Sequence, residues 1–142
     1  MPGRLEHANL CVRDIDTTLG FLRTAIPEFR VRADHTDSDG SRWVHVGTDE
    51  TYLALSSATR PSGPIREPYS GQPGVDHLGF EVDDAAALRT RMLAAGYEES
   101  TVPNAHRHRR RVYFLDPDGN DWEFVEYFSA NPADRNDYKL PS

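Results

Sequence analysis

The chain has 142 residues, 37% of them hydrophobic, which is enough for one domain with a sizeable core. Its formal net charge of −7 argues against nucleic-acid binding. No apolar run approaches the ~20 residues of a membrane span, and no signal-peptide segment follows the first residues. The one cysteine, Cys11, excludes an internal disulfide framework and fits a reducing cytoplasm. Because it lies in an apolar run, we expect Cys11 to be buried and not a nucleophile.

The first part of the chain predicts a β-α-β-β-β order from its apolar alternation and turn residues. The predicted strands are Leu5–Val12, Phe29–Ala33, Arg42–Val46 and Thr51–Ser56. The helix is predicted over about Thr17 to Ala25, with Asp14 or Asp16 as its N-cap. Pro27 ends it, because the residue before a proline disfavours the helical conformation.

A proline-rich stretch, residues 61–73, predicts a linker, and the same order of elements then begins again. The predicted elements are a strand over Val75–Val82, a helix over about Ala85 to Ala95, a strand over Tyr97–Val102 and a hairpin over Arg111–Phe128. Asp83 or Asp84 caps the helix, and Gly96 ends it. We therefore expect a first module over 1–60, a second over 74–128 and a polar tail over 129–142. The tail packs on the body, packs on a partner chain or is loose.

The hairpin turn reads Asp116-Pro117-Asp118-Gly119-Asn120 and leads into Trp122-Glu123-Phe124. Proline and glycine fix such a reversal, and the aromatic flanks predict paired strands. Glu123 is a carboxylate within an apolar strand. Because an unpaired buried charge is very costly, this carboxylate is predicted to be exposed, paired or bound to a metal.

The two halves form an internal repeat, which outranks local assignments. His7 and His77 lie 70 residues apart (77 − 7), each in the first strand of its module and each after an acidic residue. Aligning the last turn of each module places Ala54 opposite Glu123 (123 − 54 = 69).

Paired modules of this kind would bring His7, His77 and Glu123 to one cavity. Two imidazoles and one carboxylate with open positions form a facial triad, a set that suits Fe(II), although Mn(II), Ni(II), Co(II) or Zn(II) fit the same ligands. The competing carboxylate is Glu126, three residues on in the same strand, so it faces the opposite side and is predicted to form a salt bridge. A single strand histidine is more often structural, but matched positions in a repeat favour ligation.

The repeat, the His7, His77 and Glu123 positions, and the stretch Tyr113–Asn120 resemble the vicinal oxygen chelate superfamily. This group includes glyoxalase I, extradiol dioxygenases, methylmalonyl-CoA epimerase, fosfomycin resistance enzymes and bleomycin resistance proteins. The resemblance implies an α+β fold of two βαβββ modules forming an open eight-stranded cup, the glyoxalase/bleomycin resistance/dihydroxybiphenyl dioxygenase fold. It also implies a homodimer and a divalent metal that binds two adjacent oxygens of a substrate.

Ala54 departs from the family pattern, because glyoxalase-like and epimerase-like members usually carry a fourth ligand there. This favours a three-ligand, dioxygenase-like site. By the same resemblance, Tyr113 is a catalytic candidate, with a core role as the alternative. His106 and His108 are further candidates for proton transfer or for a cationic lid, and a solvated basic loop is their alternative.

The sequence thus predicts a metal-dependent enzyme, with Fe(II) favoured, that acts on a small molecule with vicinal oxygens, as a dioxygenase or a glyoxalase-like lyase. The alternatives are a metal-free, ligand-sequestering protein of the bleomycin-resistance type and a lyase, isomerase or transferase of the same superfamily. We expect a cytoplasmic homodimer that binds neither nucleic acid nor membrane.

Overall fold

The computed structural model describes residues 1–57 and 64–139, and its fold is α+β. The chain divides into two units, Met1–Ile65 and Arg66–Ser142. Residues 58–63, which include the start of the predicted linker, and residues 140–142 of the predicted tail lie outside the described residues. Within the described residues, no helix combines the length and the apolar character that crossing a bilayer requires.

The described residues of the first unit form one helix and a four-stranded mixed sheet. Its elements are β1 (His7–Val12), α1 (Ile15–Ala25), β2 (Arg30–Thr36), β3 (Arg42–Gly47) and β4 (Tyr52–Ser57). The strand order is β1-β4-β3-β2, in which β1 and β4 are parallel and the other pairs antiparallel. The predicted β-α-β-β-β order of this module is therefore confirmed.

Side chains that alternate in direction along the strands give this sheet two different faces. On the core side, Val44, Val46 and Leu55 of the sheet are fully buried, together with Phe21 and Leu22 of α1. The opposite side carries His7, Tyr52 and His45. The prediction that Cys11 is buried is wrong: it is exposed, because in β1 it shares the face of His7 and not that of the buried Val12.

The second unit repeats the arrangement and adds a short helix. Its elements are β5 (His77–Glu81), α2 (Ala85–Ala94), β6 (Glu99–Thr101), β7 (Arg109–Leu115), β8 (Asp121–Tyr127) and α3 (Pro132–Arg135). The strand order is β5-β8-β7-β6, with β5 and β8 parallel. Both predicted βαβββ modules are thus present, with element ends that differ from the predicted ones by only a few residues.

The two main helices begin in the same way. Asp14 accepts a hydrogen bond from the Thr17 backbone N–H at 2.9 Å, and Asp84 accepts one from the Ala87 N–H at the same distance. These bonds satisfy backbone donors that a helix start leaves unpaired. Of the two candidates at each helix, Asp14 and Asp84 are therefore the caps. Gly96 follows α2 with φ of +86°, as predicted for its end.

The turn before β8 is organised by the buried Asp116. One carboxylate oxygen accepts from the backbone N–H groups of Asp118 and Asn120 at 2.8 and 3.0 Å. The other accepts from the Asn120 side chain at 2.9 Å and from the indole N–H of Trp122 at 3.0 Å. Gly119 completes the reversal with φ of +83°. Asp116 therefore ties the turn to the largest fully buried side chain of the chain's described part.

Strand registers confirm the internal alignment. His7 pairs with Tyr52 as His77 pairs with Asp121. Two residues further along, Asn9 pairs with Ala54 as Gly79 pairs with Glu123. Ala54 is therefore the equivalent of Glu123, as the turn alignment predicted.

The described part of the tail packs on the second unit. Arg135 of α3 forms a two-pronged pair with Glu81 at 2.9 and 2.8 Å, and Arg109 donates to the Asp137 carbonyl at 2.8 Å. Asn131 caps α3, and Pro132 occupies its first turn, a start signal that the sequence prediction missed. Of the alternatives for the tail, packing on the body holds for residues 129–139.

Candidate metal centre

His77 and Glu123 lie together on neighbouring parallel strands of the second unit. The Nε2 atom of His77 is 3.0 Å from the Oε2 atom of Glu123. Both face the side of the sheet opposite the core, because Trp122 and Phe124 on either side of Glu123 are buried. The His77 side chain is 34% exposed and that of Glu123 is 18% exposed, so a small ion could reach the pair from solvent.

The second ring nitrogen of His77 also has a partner. The hydroxyl oxygen of Tyr69 lies 2.8 Å from Nδ1 of His77, and the same hydroxyl donates to a carboxylate oxygen of Asp121 at 2.7 Å. The other Asp121 oxygen accepts from the Ser100 hydroxyl at 2.5 Å. Asp121 is buried and directly precedes Trp122 in β8. A series of hydrogen bonds therefore runs from the buried Asp121 to the imidazole.

Tyr69 reaches His77 from the loop before β5, part of which the sequence predicted as linker. Arg66 holds this loop: it donates to the carbonyl of Val75 at 2.7 Å and that of Gln72 at 2.5 Å, and to the Asp76 carboxylate at 2.9 Å. The same Asp76 oxygen accepts from the backbone N–H of Tyr69 at 2.8 Å. The charge of Arg66 and this backbone bond lower the pKa of Asp76. Tyr69 is a site residue that sequence reasoning missed.

Tyr113 of β7 lies beside the pair, and its catalytic role stays a prediction. It is opposite Glu123 in the antiparallel register, and its ring meets that of His77 edge-on with centroids 5.8 Å apart. Burial raises the pKa of Tyr113, the charge of Glu123 raises it further, and Arg111 opposes the shift. This hydroxyl therefore keeps its proton more firmly than an exposed tyrosine.

His7 occupies the matching position in the first unit. Its ring stacks on Tyr52 with centroids 4.9 Å apart, and its Nδ1 lies 3.0 Å from the Glu6 carboxylate. Within neither unit do the described residues gather three or more His, Cys, Asp or Glu side chains around one point. Ligation by His7 together with His77 and Glu123 stays a prediction.

The face of the first sheet that carries His7 is lined by rings. From Tyr52, contacts continue to His45 at 4.8 Å, from His45 to Trp43 at 4.8 Å and from Trp43 to His35 at 5.5 Å between centroids. The guanidinium of Arg32 lies 4.2 Å from the centre of the Tyr52 ring. We call these five rings the ring series. They are His7, Tyr52, His45, Trp43 and His35.

His45, which the sequence left as structural, has an equivalent in the second module. It pairs with Ala54 in β4, as Tyr113 pairs with Glu123 in β8, so His45 and Tyr113 are equivalent residues of the two modules. The offset between them is 68 (113 − 45), against 70 for the histidine pair, because loop lengths differ between the modules. An alignment of the third strands that allowed this shift would have found it.

His106 and His108, the other predicted catalytic candidates, bond toward the tail. Nδ1 of the buried His106 accepts from the His108 backbone N–H at 3.1 Å, and Nε2 of His108 lies 3.5 Å from the Asp134 carboxylate. Burial and the nearby charge of Arg109 lower the pKa of His106. None of these contacts involves His77 or Glu123, and a catalytic role for either histidine stays a prediction.

Glu126, the competing carboxylate, faces the opposite side of β8 from Glu123, as predicted. Its carboxylate accepts from the Ala85 backbone N–H at 3.0 Å, at the start of α2, and a salt bridge of Glu126 stays a prediction. A negative charge there is stabilised by the helix dipole. Glu123 is therefore the carboxylate available beside His77.

Comparisons with known proteins identify the protein family of this chain. A family model described as the Glyoxalase/Bleomycin resistance protein/Dioxygenase superfamily matches residues 4–124. An ethylmalonyl-CoA/methylmalonyl-CoA epimerase from Cereibacter sphaeroides is 28% identical over 122 residues, covering 82% of this chain and 90% of the relative.

Solved structures show the same fold. The fosfomycin resistance protein FosX from Listeria monocytogenes, complexed with Mn(II) and sulfate ion, has a TM-score of 0.69 at 18% identity, covering 95% of this chain and 98% of its own. A glyoxylase/bleomycin resistance protein/dioxygenase domain from a Frankia species has a TM-score of 0.67 at 19% identity, covering 89% and 99%. At these identities the structural likeness establishes the fold and no activity.

Proposed function

Because the chain belongs to the glyoxalase/bleomycin resistance protein/dioxygenase superfamily, we propose that it is a metal-dependent enzyme acting on a small substrate with two adjacent oxygens. The observation that carries this proposal is the approach of Nε2 of His77 to Oε2 of Glu123 at 3.0 Å. An imidazole and a carboxylate at this separation are suited to neighbouring positions on one divalent ion, whose ligands lie at about 2.1 Å.

The third ligand in this proposal is His7. Its support is the repeat: His7 and His77 occupy matching positions in their modules, and the strand registers agree on the match. Two imidazoles and one carboxylate are the set typical of oxygen-activating Fe(II) sites, and Mn(II), Ni(II), Co(II) and Zn(II) accept the same donors. When bound, the metal would supply Lewis acidity and a place for adjacent substrate oxygens.

Ala54 favours a three-ligand, dioxygenase-like site over a four-ligand one. It stands at the position equivalent to Glu123, and an alanine has no atom that can coordinate a metal. A site with fewer protein ligands keeps more positions open, so both a chelating substrate and O2 could be held.

Tyr113 is the residue that we propose to hold or move a proton. Its place opposite Glu123 and beside the His77 ring supports this role. Because its pKa is raised, it is suited to donate a hydrogen bond to a substrate oxygen and not to act as a ready base. Glu123 would serve as a ligand.

Catechols are the first substrates to test, because they carry two adjacent oxygens of the kind that a metal site with open positions could bind.

The experiment is anaerobic loading of the purified, untagged protein with Fe(II), followed by exposure to O2 with a panel of catechols. We expect O2 uptake that requires the catechol and is lost in His77→Ala and Glu123→Gln. Glu50→Gln, which neutralises an exposed carboxylate outside the proposed site, is the matched control for Glu123→Gln and should retain activity. No uptake with any catechol would contradict the dioxygenase proposal.

A second candidate is an isomerase, favoured by the 28% identity to an epimerase acting on acyl-CoA thioesters. Such an enzyme exchanges a carbon-bound proton without O2. Incorporation of deuterium from D2O into methylmalonyl-CoA, in the absence of O2, would move the assignment to this branch. The absence of both activities, with no metal retained by mass spectrometry, would favour the sequestering alternative.

A further inference from the structure

We propose that Tyr69, together with Asp121, fixes the tautomer of His77, with hydrogen on Nδ1 and the lone pair on Nε2 facing Glu123. Tyr69 would then be a positioning residue, acting on a metal or substrate only through the imidazole. The proposal deepens the proposed function, but its first test requires no metal.

The number of available hydrogens determines the direction of each bond. A tyrosine hydroxyl has one hydrogen to donate, and a carboxylate oxygen can only accept. The Tyr69 hydrogen goes to Asp121 at 2.7 Å. The tyrosine oxygen, 2.8 Å from Nδ1 of His77, is left as an acceptor, so the hydrogen between these two atoms belongs to the imidazole.

Asp121 determines the direction in which these hydrogen bonds are donated. Asp121 is 3% exposed, and its other oxygen already accepts from the Ser100 hydroxyl at 2.5 Å. With hydroxyl donors on both oxygens, the carboxylate offers no hydrogen to Tyr69. Hydrogens are therefore donated in one direction, from the imidazole to Tyr69 and from Tyr69 to the Asp121 carboxylate.

The hydrogen on Nδ1 also determines the state of Nε2, the other ring nitrogen of His77. A neutral imidazole with hydrogen on Nδ1 carries its lone pair on Nε2. That atom lies 3.0 Å from a carboxylate oxygen of Glu123, so a positive charge, either a metal ion or a proton, is needed between these two electron-rich atoms. Such a pair attracts a cation, and a ligating histidine commonly has its other nitrogen held by a hydrogen-bonded partner in this way.

The loop that carries Tyr69 is built to hold it there. Tyr69 has φ of +61°, in the left-handed region that a non-glycine residue rarely adopts. The Arg66 side chain passes so close to Gly74 that a Cβ at that glycine would lie 2.7 Å from its Nε. Backbone strain kept in place by side-chain bonds is typical of functional loops.

Tyr69 contributes little to a core. The residue is 57% exposed, and its hydroxyl makes the contacts with His77 and Asp121. Removing the hydroxyl should therefore change the imidazole while leaving the fold intact.

The test is long-range ¹H–¹⁵N correlation NMR of metal-free protein labelled at histidine, recorded at one mildly alkaline pH. The His77 signals are assigned by their loss in His77→Gln. In the wild type we expect the tautomer with hydrogen on Nδ1. In Tyr69→Phe we expect a shift toward the form with hydrogen on Nε2, which free histidine favours. Tyr138→Phe, which removes an exposed tail hydroxyl, is the matched control and should match the wild type.

A wild-type spectrum with hydrogen on Nε2, or an unchanged tautomer in Tyr69→Phe, would overturn the proposal. The wild-type spectrum alone decides the matter if the variant does not fold. A second readout is Mn(II) affinity by calorimetry, which should fall about 10- to 100-fold in Tyr69→Phe. If no variant binds metal but the tautomer is as expected, the proposed function fails and the positioning role stands.

Discussion

Ala54 stands in the first module where Glu123 stands in the second. Each is the third residue of the last strand of its module, and each pairs with the third residue of the first strand, Asn9 or Gly79. The residues opposite them on the other neighbouring strand are His45 and Tyr113. The repeat therefore has one carboxylate where a symmetric protein would have two.

Ala54→Glu should supply a further ligand. If position 54 faces the metal, the variant should bind Mn(II) more tightly and hold fewer coordinated waters, because a carboxylate would displace water. Water proton relaxation counts the waters, and calorimetry gives the affinity. Ala54→Leu is the control for bulk and should not gain affinity. Unchanged coordination in a folded Ala54→Glu protein would show that position 54 does not reach the ion.

His7→Ala tests the third ligand. In copper-substituted protein, electron spin-echo measurements distinguish one coordinated imidazole from two. We expect two in the wild type and one in His7→Ala, with a loss of metal affinity of about tenfold or more, since each lost ligand removes a direct bond to the ion. His35→Ala should keep two. A wild-type count of one would remove His7 from the site.

Asp116 should couple strongly to Trp122. The indole N–H is buried and donates to the Asp116 carboxylate at 3.0 Å. A hydrogen bond to a charged group contributes about 1.5–3 kcal/mol to the free energy of unfolding. In a double-mutant cycle of Asp116→Ala and Trp122→Phe, measured by urea unfolding, we expect a coupling in that range. Additive effects would mean that the carboxylate stabilises the turn alone.

His106 should make the protein less stable in mild acid. Burial and the charge of Arg109 lower the pKa of His106 below its usual 6.5, against the opposing influence of Asp137. The unfolded chain then binds the proton more readily than the folded one, so stability is complete above about pH 6.5 and is lost as the pH falls through that value.

The measurement is the urea midpoint at about pH 7.5 and about pH 5.5, on either side of the unfolded histidine pKa. His106→Asn preserves an acceptor for the His108 backbone N–H and cannot take up the proton, so its midpoint should fall less between the two conditions. An equal fall in both proteins would assign the acid sensitivity to other groups.

Local chemistry made much of the fold predictable. Asp14 and Asp84 could be placed at helix starts because a capping carboxylate needs only its next few residues. The pairing of Ala54 with Glu123 followed from the repeat, which carries long-range information in a single sequence. The pair of His77 and Glu123 was predicted for the same reason.

What could not be predicted depends on contacts distant in sequence. Tyr69 lies in a proline-rich stretch without periodicity, and its role exists only because Arg66 and Asp76 fold the loop back onto β5. Cys11 was assigned to the core from an apolar run, whereas the alternation of β1 places it beside His7 on the exposed face. His106 was read as part of a charged loop, because nothing near it in sequence shows that the tail packs over it.

The position of β8 has a consequence for synthesis. Although it is the last strand of its sheet to leave the ribosome, it lies between β5 and β7. The earlier strand β5 has no partner within this sheet until residues 121–127 have emerged. A nascent chain halted at the Asp116 turn would present β5 with an open edge, which is the kind of surface that chaperones shield and aggregates recruit.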